Sequence, residues 1–205
     1  MSGTTKKPLY KRWWVWVLAV IVVAGAMGGE KGRTPLGTTP VASEQAAKAS
    51  ELPADEMAFI SILAAAQQDA RKADNDMQRG GIKAKRDQEL CKAINKLSVQ
   101  DWVGKVTHIG ANSDGKGVFS IEIAKDITVK TWNNEFSDMM HKTLLQPGSP
   151  LFTTASNLKN GQMVKFSGSF FKGLEGDCVF ESSMSLQGKL ADPEFIFRFG
   201  GVAPL

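Results

Sequence analysis

Histidine and cysteine are nearly missing from this chain, with two of each in 205 residues, and there is a single tyrosine. Neither Cys91 nor Cys178 belongs to a C-x-x-C pair, so thiol-redox and zinc sites of the usual spacing have no support. The G-x-S-x-G and H-E-x-x-H signatures are also absent, which removes the nucleophile elbow and the common zinc hydrolase helix. No catalytic residue, metal ligand or cofactor is assigned on this basis, and the expectation is a protein that is not an enzyme. Acid is missing from the first 29 residues, which hold four bases. The remaining chain carries 21 acidic and 21 basic residues, so the basic balance belongs to the N-terminus. A neutral body argues against a duplex nucleic-acid binder, which needs a clustered positive field.

What the N-terminus does have is a run of 17 uncharged residues, Trp13 to Gly29, behind Lys6, Lys7, Lys11 and Arg12. As a helix it is roughly 26 Å long against a ~30 Å hydrocarbon core, and snorkelling by Lys11 and Arg12 extends it. Trp13, Trp14 and Trp16 suit an interfacial belt. The one-sided basic flank (1–12) places the N-terminus in the cytoplasm and everything after residue 29 outside. The expectation is a single-pass protein of the cytoplasmic membrane with an extracytoplasmic domain. Ala24-Gly25-Ala26 also fits a peptidase site, which would release the remainder instead.

Residues 30–52 are rich in Gly, Thr, Ser, Pro and Ala and read as a flexible linker averaging about 28 Å end to end. From Pro53 the composition turns Ala-rich, with Asp55 and Glu56 in the first turn and an apolar stripe through Met57, Ile60, Leu63, Ala64, Ala70 and Met77. A break is expected at Arg79-Gly80-Gly81, followed by a second helix bearing Leu90, Cys91, Ile94 and Leu97. The region 53–98 is thus a helical hairpin or one kinked helix, with self-association through it as a further possibility. Lys83, Lys85 and Arg86 read as a solvated face. Cys91 and Cys178 could be bridged outside the membrane or stand as two small buried thiols; one pair has no spacing that decides it.

After Val99 the period becomes two. Trp102 to Ile109, Val118 to Ala124 and Asp126 to Trp132 alternate as strands, with a hairpin turn at Asn112 to Gly117. Residues 133–160 are irregular or partly helical. Gln162 to Phe171, Cys178 to Leu186 and Glu194 to Phe199 complete about six strands. Two patterns stand out: Trp102-Val103-Gly104-Lys105-Val106, and Gly161 through Val164, Phe166, Ser167 and Gly168. Strands of this kind, with the insertion between the third and fourth, are similar to an OB-fold barrel. The segment Gly188 to Phe199, G-x-x-x-x-P-E-F-x-F-x-F, together with the N-terminal flank, resembles uncharacterised bacterial membrane-anchored envelope proteins. The expected fold class is α+β: a transmembrane helix, a linker, the helical region and an OB-like antiparallel barrel over 99–205. A β-sandwich is the alternative.

The resemblance implies binding on the face of strands two and three. Lys116, Phe119, Lys130, Trp132 and Phe136 fall there and are the candidate ligand residues. The partner expected is a protein or envelope component, and Lys and aromatic side chains of this kind also suit single-stranded nucleic acid at the membrane or a glycan; as plain structure, Phe119 and Trp132 are core. Asp138 and His141, three apart, would be half a metal site without a third ligand.

Overall fold

Pro53 opens the first helix, α1, Ala54–Lys72. The structure is a computed structural model and describes residues 52–205 apart from Asn95, Glu175 and Gly176. The basic flank, the uncharged run with Lys11, Arg12, Trp13, Trp14 and Trp16, and the linker up to Glu51 lie outside the described residues. Among the described residues, no helix is long and apolar enough to cross a membrane.

The break between the helices is not at the glycines. It falls at Ala73-Asp74-Asn75, and α2 runs Asp76–Ala93 straight through Gly80 and Gly81. Asn75 caps α2 by accepting from the Gln78 N–H at 3.0 Å, while the Gln78 side chain accepts from the Asp74 N–H at 2.7 Å. This reciprocal cap satisfies two orphan donors, which outweighs the weak helix propensity of two glycines farther in. Ala66 and Ala70 on α1 meet Leu190 together with Ile82 and Leu186 in a small second cluster.

Five strands follow: β1 Ser98–Ala111, β2 Gly117–Ala124, β3 Ile127–Lys130, β4 Met163–Phe170 and β5 Glu194–Pro204. Between β3 and β4 lie two short helices, α3 Glu135–Asp138 and α4 Pro150–Ser156, and α5 Leu186–Ala191 precedes β5. The domain is α+β with one mixed sheet in the order β1-β2-β3-β5-β4, and β4 pairs back on β1, so the sheet closes on itself. Closure depends on β1, which pairs with β4 over Ser98–Lys105 and with β2 over Lys105–Ala111. Two register shifts bend it, one between Val99 and Trp102 and one between Val106 and His108, the usual way one strand serves two neighbours. Asp101 in the first shift has φ 58°, and its N–H donates to the Ser167 hydroxyl at 2.9 Å. Gly104 sits where β1 turns from one neighbour to the other. A Cβ there would lie 2.8 Å from the Glu122 carbonyl oxygen on β2, so only glycine admits this approach.

Two expectations are corrected. The sheet is mixed, because β3 and β5 pair in parallel through Thr128–Glu194, Val129–Phe195 and Lys130–Ile196. There are five strands among the described residues, since the expected strand Cys178–Leu186 is irregular, with one isolated bridge from Glu181 to Phe195. β4 occupies its edge of β5 only over Phe197–Pro204, so the segment pairs with β5 at Glu194–Ile196 alone. There the Ser182 N–H donates to the Glu194 carbonyl at 2.9 Å and the Ile196 N–H to the Phe180 carbonyl at 3.2 Å, so the segment's contact is too short to make a strand. It is held from the other side. Cys178 is disulfide-bonded to Cys91 on α2 with Cα atoms 5.2 Å apart. Buried Arg86 pairs with buried Glu181, and Lys83 bridges Asp87 at 2.6 Å and Asp177 at 2.8 Å. Arg86, expected on a solvated face, is therefore the buried centre of an ion network that fixes this segment.

The core fills the closed sheet with Trp102, Phe119, Phe166, Phe170, Phe195, Phe197 and Phe199. Phe59 from α1 closes one end, with ring centroids 5.0 to 5.4 Å from Phe195, Phe170 and Trp102. On the same helix, the Glu56 carboxylate accepts from the Val103 N–H, and Asp55 accepts from the Trp102 indole N–H at 3.1 Å. The long Ala-rich helix is a lid on the sheet, and the face it buries is Glu56, Phe59, Leu63, Ala66, Gln67 and Ala70. Of the expected stripe, Met57, Ala64 and Met77 are exposed instead.

Candidate binding cleft

Alternation along a strand sends every second side chain outward. With Ile121 and Val129 buried inside, Ser120 and Lys130 point outward. The register shift between Val106 and His108 turns His108 out beside its partner Ser120, so the three form an outward row over β1, β2 and β3. The row ends where β5 begins. Glu194 pairs with Lys130 there, and Ser182 donates its hydroxyl to Glu194 at 3.1 Å. Together with Thr131, Trp132 and Asn133 these residues line an open cleft of about 350 Å³. The ion network that fixes Glu181 thereby also delivers its neighbour Ser182 to the cleft.

Trp132 is held from behind. Its backbone N–H donates to the Thr143 hydroxyl at 2.8 Å, and that hydroxyl donates to Asp138 at 2.7 Å. The buried Asp138 carboxylate also accepts from the Thr143 and Leu144 N–H groups at 2.6 and 3.0 Å. The Trp132 indole N–H donates to Nδ1 of His141 at 3.2 Å, and His141 packs between Phe171 and Phe180 with centroids 4.6 and 4.7 Å away. Burial lowers the His141 pKa, Asp138 opposes this, and the Arg198 guanidinium adds to it. The imidazole is thus kept neutral, which leaves Nδ1 free to accept. Asp138 and His141 consequently do separate structural jobs and are not half of a metal site. Among the described residues no group of three His, Cys, Asp or Glu side chains is placed to hold a metal ion.

The five residues expected to bind together are divided by the structure. Lys130 and Trp132 share the cleft. Phe119 is buried in the core against Phe199 at 5.1 Å. Lys116 pairs with Glu135 at 2.6 Å and lies with Phe136 on a different surface, which also includes Met139, Lys142 and Gln146. His108, Ser120, Asn133, Ser182 and Glu194 were missed. Outward alternation on β2 could have found Ser120, but alternation on β1 puts His108 on the inward face with Trp102 and Val106. Only the register shift between Val106 and His108 turns it out; Ser182 and Glu194 arrive from sequence too distant for any local pattern. The sequence also holds three Ser-x-x-Lys spacings, Ser113 to Lys116, Ser156 to Lys159 and Ser169 to Lys172. None is a nucleophile–base pair here: Lys116 pairs with Glu135, the Ser156 hydroxyl donates to the Thr153 carbonyl, and the Ser169 hydroxyl shares a hydrogen bond with that of Ser98 at 3.0 Å.

No protein-family model and no curated protein matches this chain. The cleft's own chemistry therefore carries the functional reading. Its one lysine is neutralised within the cleft by Glu194. The remaining lining is an aromatic ring edged by hydroxyl, amide and imidazole groups.

Proposed function

We propose that the chain is a non-catalytic binding module, anchored in the cytoplasmic membrane by residues 13–29 and displayed outside. An OB-type barrel, of the kind the envelope proteins it resembles are expected to carry, then holds an extended glycan segment in the cleft beside Trp132. The OB-type reading is supported by three features: β1 shared between β2 and β4, β3 parallel to β5, and a helical connection before β4. The observation that carries the ligand class is the internal Lys130–Glu194 pair. A site for phosphate or carboxylate leaves its cations free, whereas a sugar needs an apolar ring face and neutral hydrogen-bonding groups. Trp132, Asn133, Ser120, Ser182 and His108 supply that mixture.

The second reading, a single-stranded nucleic-acid binder, relies on Lys116, Lys130 and Trp132. Both lysines are paired with glutamates, which weakens the electrostatic attraction such binding needs.

One titration separates the two readings. The chain is titrated calorimetrically with oligomers of N-acetylglucosamine and with an oligothymidylate, at about 50 and 200 mM salt. The expected result is oligosaccharide binding that changes little with salt and weakens about tenfold in Asn133→Ala and His108→Ala. Oligothymidylate binding that falls steeply with salt would establish the second reading, and no oligosaccharide binding would end the first.

A further inference from the structure

Three large apolar side chains within five residues, Phe136, Met139 and Met140, stand 84, 67 and 88% exposed. They lie on α3 and the turn that follows it. Each forgoes the burial that drives such side chains inward, yet the segment displaying them is built rigidly. Asn134 caps α3 by accepting from the Ser137 N–H at 2.9 Å, Glu135 pairs with Lys116, and Asp138 is buried under three hydrogen bonds. The exposure is a property of the folded chain.

We infer that Phe136, Met139 and Met140 form a lipid-contacting tip that seats the domain on a phospholipid bilayer. A side chain almost nine-tenths exposed touches little of its own protein, so it projects into the surroundings. A bilayer interface accepts such projections without a matching pocket, and methionine adapts easily to irregular surroundings. Lys142 borders the same surface, where a long cationic side chain reaches lipid phosphates, while Lys116 is held by Glu135 and helps fix the segment. The inference rests on the anchored reading above for the presence of a membrane. Residues 30–52 would span at most about 80 Å if fully extended. β1, 14 residues long, measures only about 47 Å, so chain length does not keep the tip from the bilayer.

Other exposed methionines provide the control. Met77 at the start of α2 and Met184 before α5 are 89 and 98% exposed. The full chain is reconstituted in vesicles of phosphatidylglycerol and phosphatidylcholine, floated, and treated with dilute hydrogen peroxide. Sulfoxide formation is then followed at each methionine by mass spectrometry. Met139 and Met140 are expected to oxidise about fivefold more slowly than Met77 and Met184. Phe136→Asp, a change at an exposed position, should raise the two tip rates towards the controls while leaving Met77 and Met184 unchanged. Equal rates at all four methionines in floated vesicles would overturn the tip and leave the anchor standing. Failure of the chain to float would overturn both. Protection that survives Phe136→Asp, or that disappears when the chain is diluted into more of the same vesicles, belongs to another contact and also overturns the inference.

Discussion

Glu56 lies in the first turn of α1 with no exposed surface, its carboxylate on the Val103 N–H. Burial pushes its pKa up to about 7; the Val103 hydrogen bond offsets part of this and the neighbouring Asp55 charge adds to it. The folded state therefore holds this proton more tightly than the unfolded chain. The stabilisation is complete below the unfolded value near 4.5, declines as pH rises, and is exhausted above about 7. The full swing is of the order of ~3 kcal/mol. Urea unfolding at a series of pH values should show this decline in the wild type. Glu56→Gln keeps an acceptor for Val103 and should remove this component of the slope, gaining stability over wild type at pH 8. A wild-type profile without that decline would contradict the assignment. No local pattern marks this role, since Glu in a first helical turn reads as a favourable dipole partner. Only docking against β1 buries it.

At the scale of elements, α2 is the instructive case. Gly80 and Gly81 read as a helix break, but nothing lies within 4 Å of a Cβ built at either position. No steric requirement keeps glycine there. Gly80→Ala and Gly81→Ala are each expected to stabilise by about 0.5–1 kcal/mol, read as a higher urea midpoint with an unchanged slope. A loss of stability would show that α2 is not continuous there. The stop signal that mattered was the Asn75-x-x-Gln78 cap, visible in the sequence but weaker to the eye than two adjacent glycines. For the strands, alternation located all five. It also marked Cys178–Leu186 as a sixth, because local pattern cannot tell that β4 takes most of that edge of β5 and leaves only Glu194–Ile196 to pair with Phe180–Ser182.

For the whole molecule, one covalent link and one ion network join the helical hairpin to the segment that completes the cleft. The Cys91–Cys178 bond closes a loop of 87 residues in sequence separation. Reduction under non-denaturing conditions should cost about 2–5 kcal/mol. It should also raise amide exchange in the stretch from Phe171 to Ser185 ahead of the strands. Unchanged stability after complete reduction, checked by thiol alkylation and intact mass, would show that the Arg86–Glu181 and Lys83–Asp177 pairs suffice alone.

Periodicity and turn chemistry are local, and they were enough to place two helices, the five strands and the insertion in order, and to single out Trp132, though not to place the helix break or to reject a sixth strand at Cys178–Leu186. The tertiary structure alone decided which residues share a site. It buried Phe119, moved Lys116 and Phe136 to another surface, turned Arg86 inward, and brought Ser182 and Glu194 to Lys130. These are consequences of sheet closure and parallel β3–β5 pairing. Both depend on contacts between residues far apart in the chain, and no local pattern encodes them.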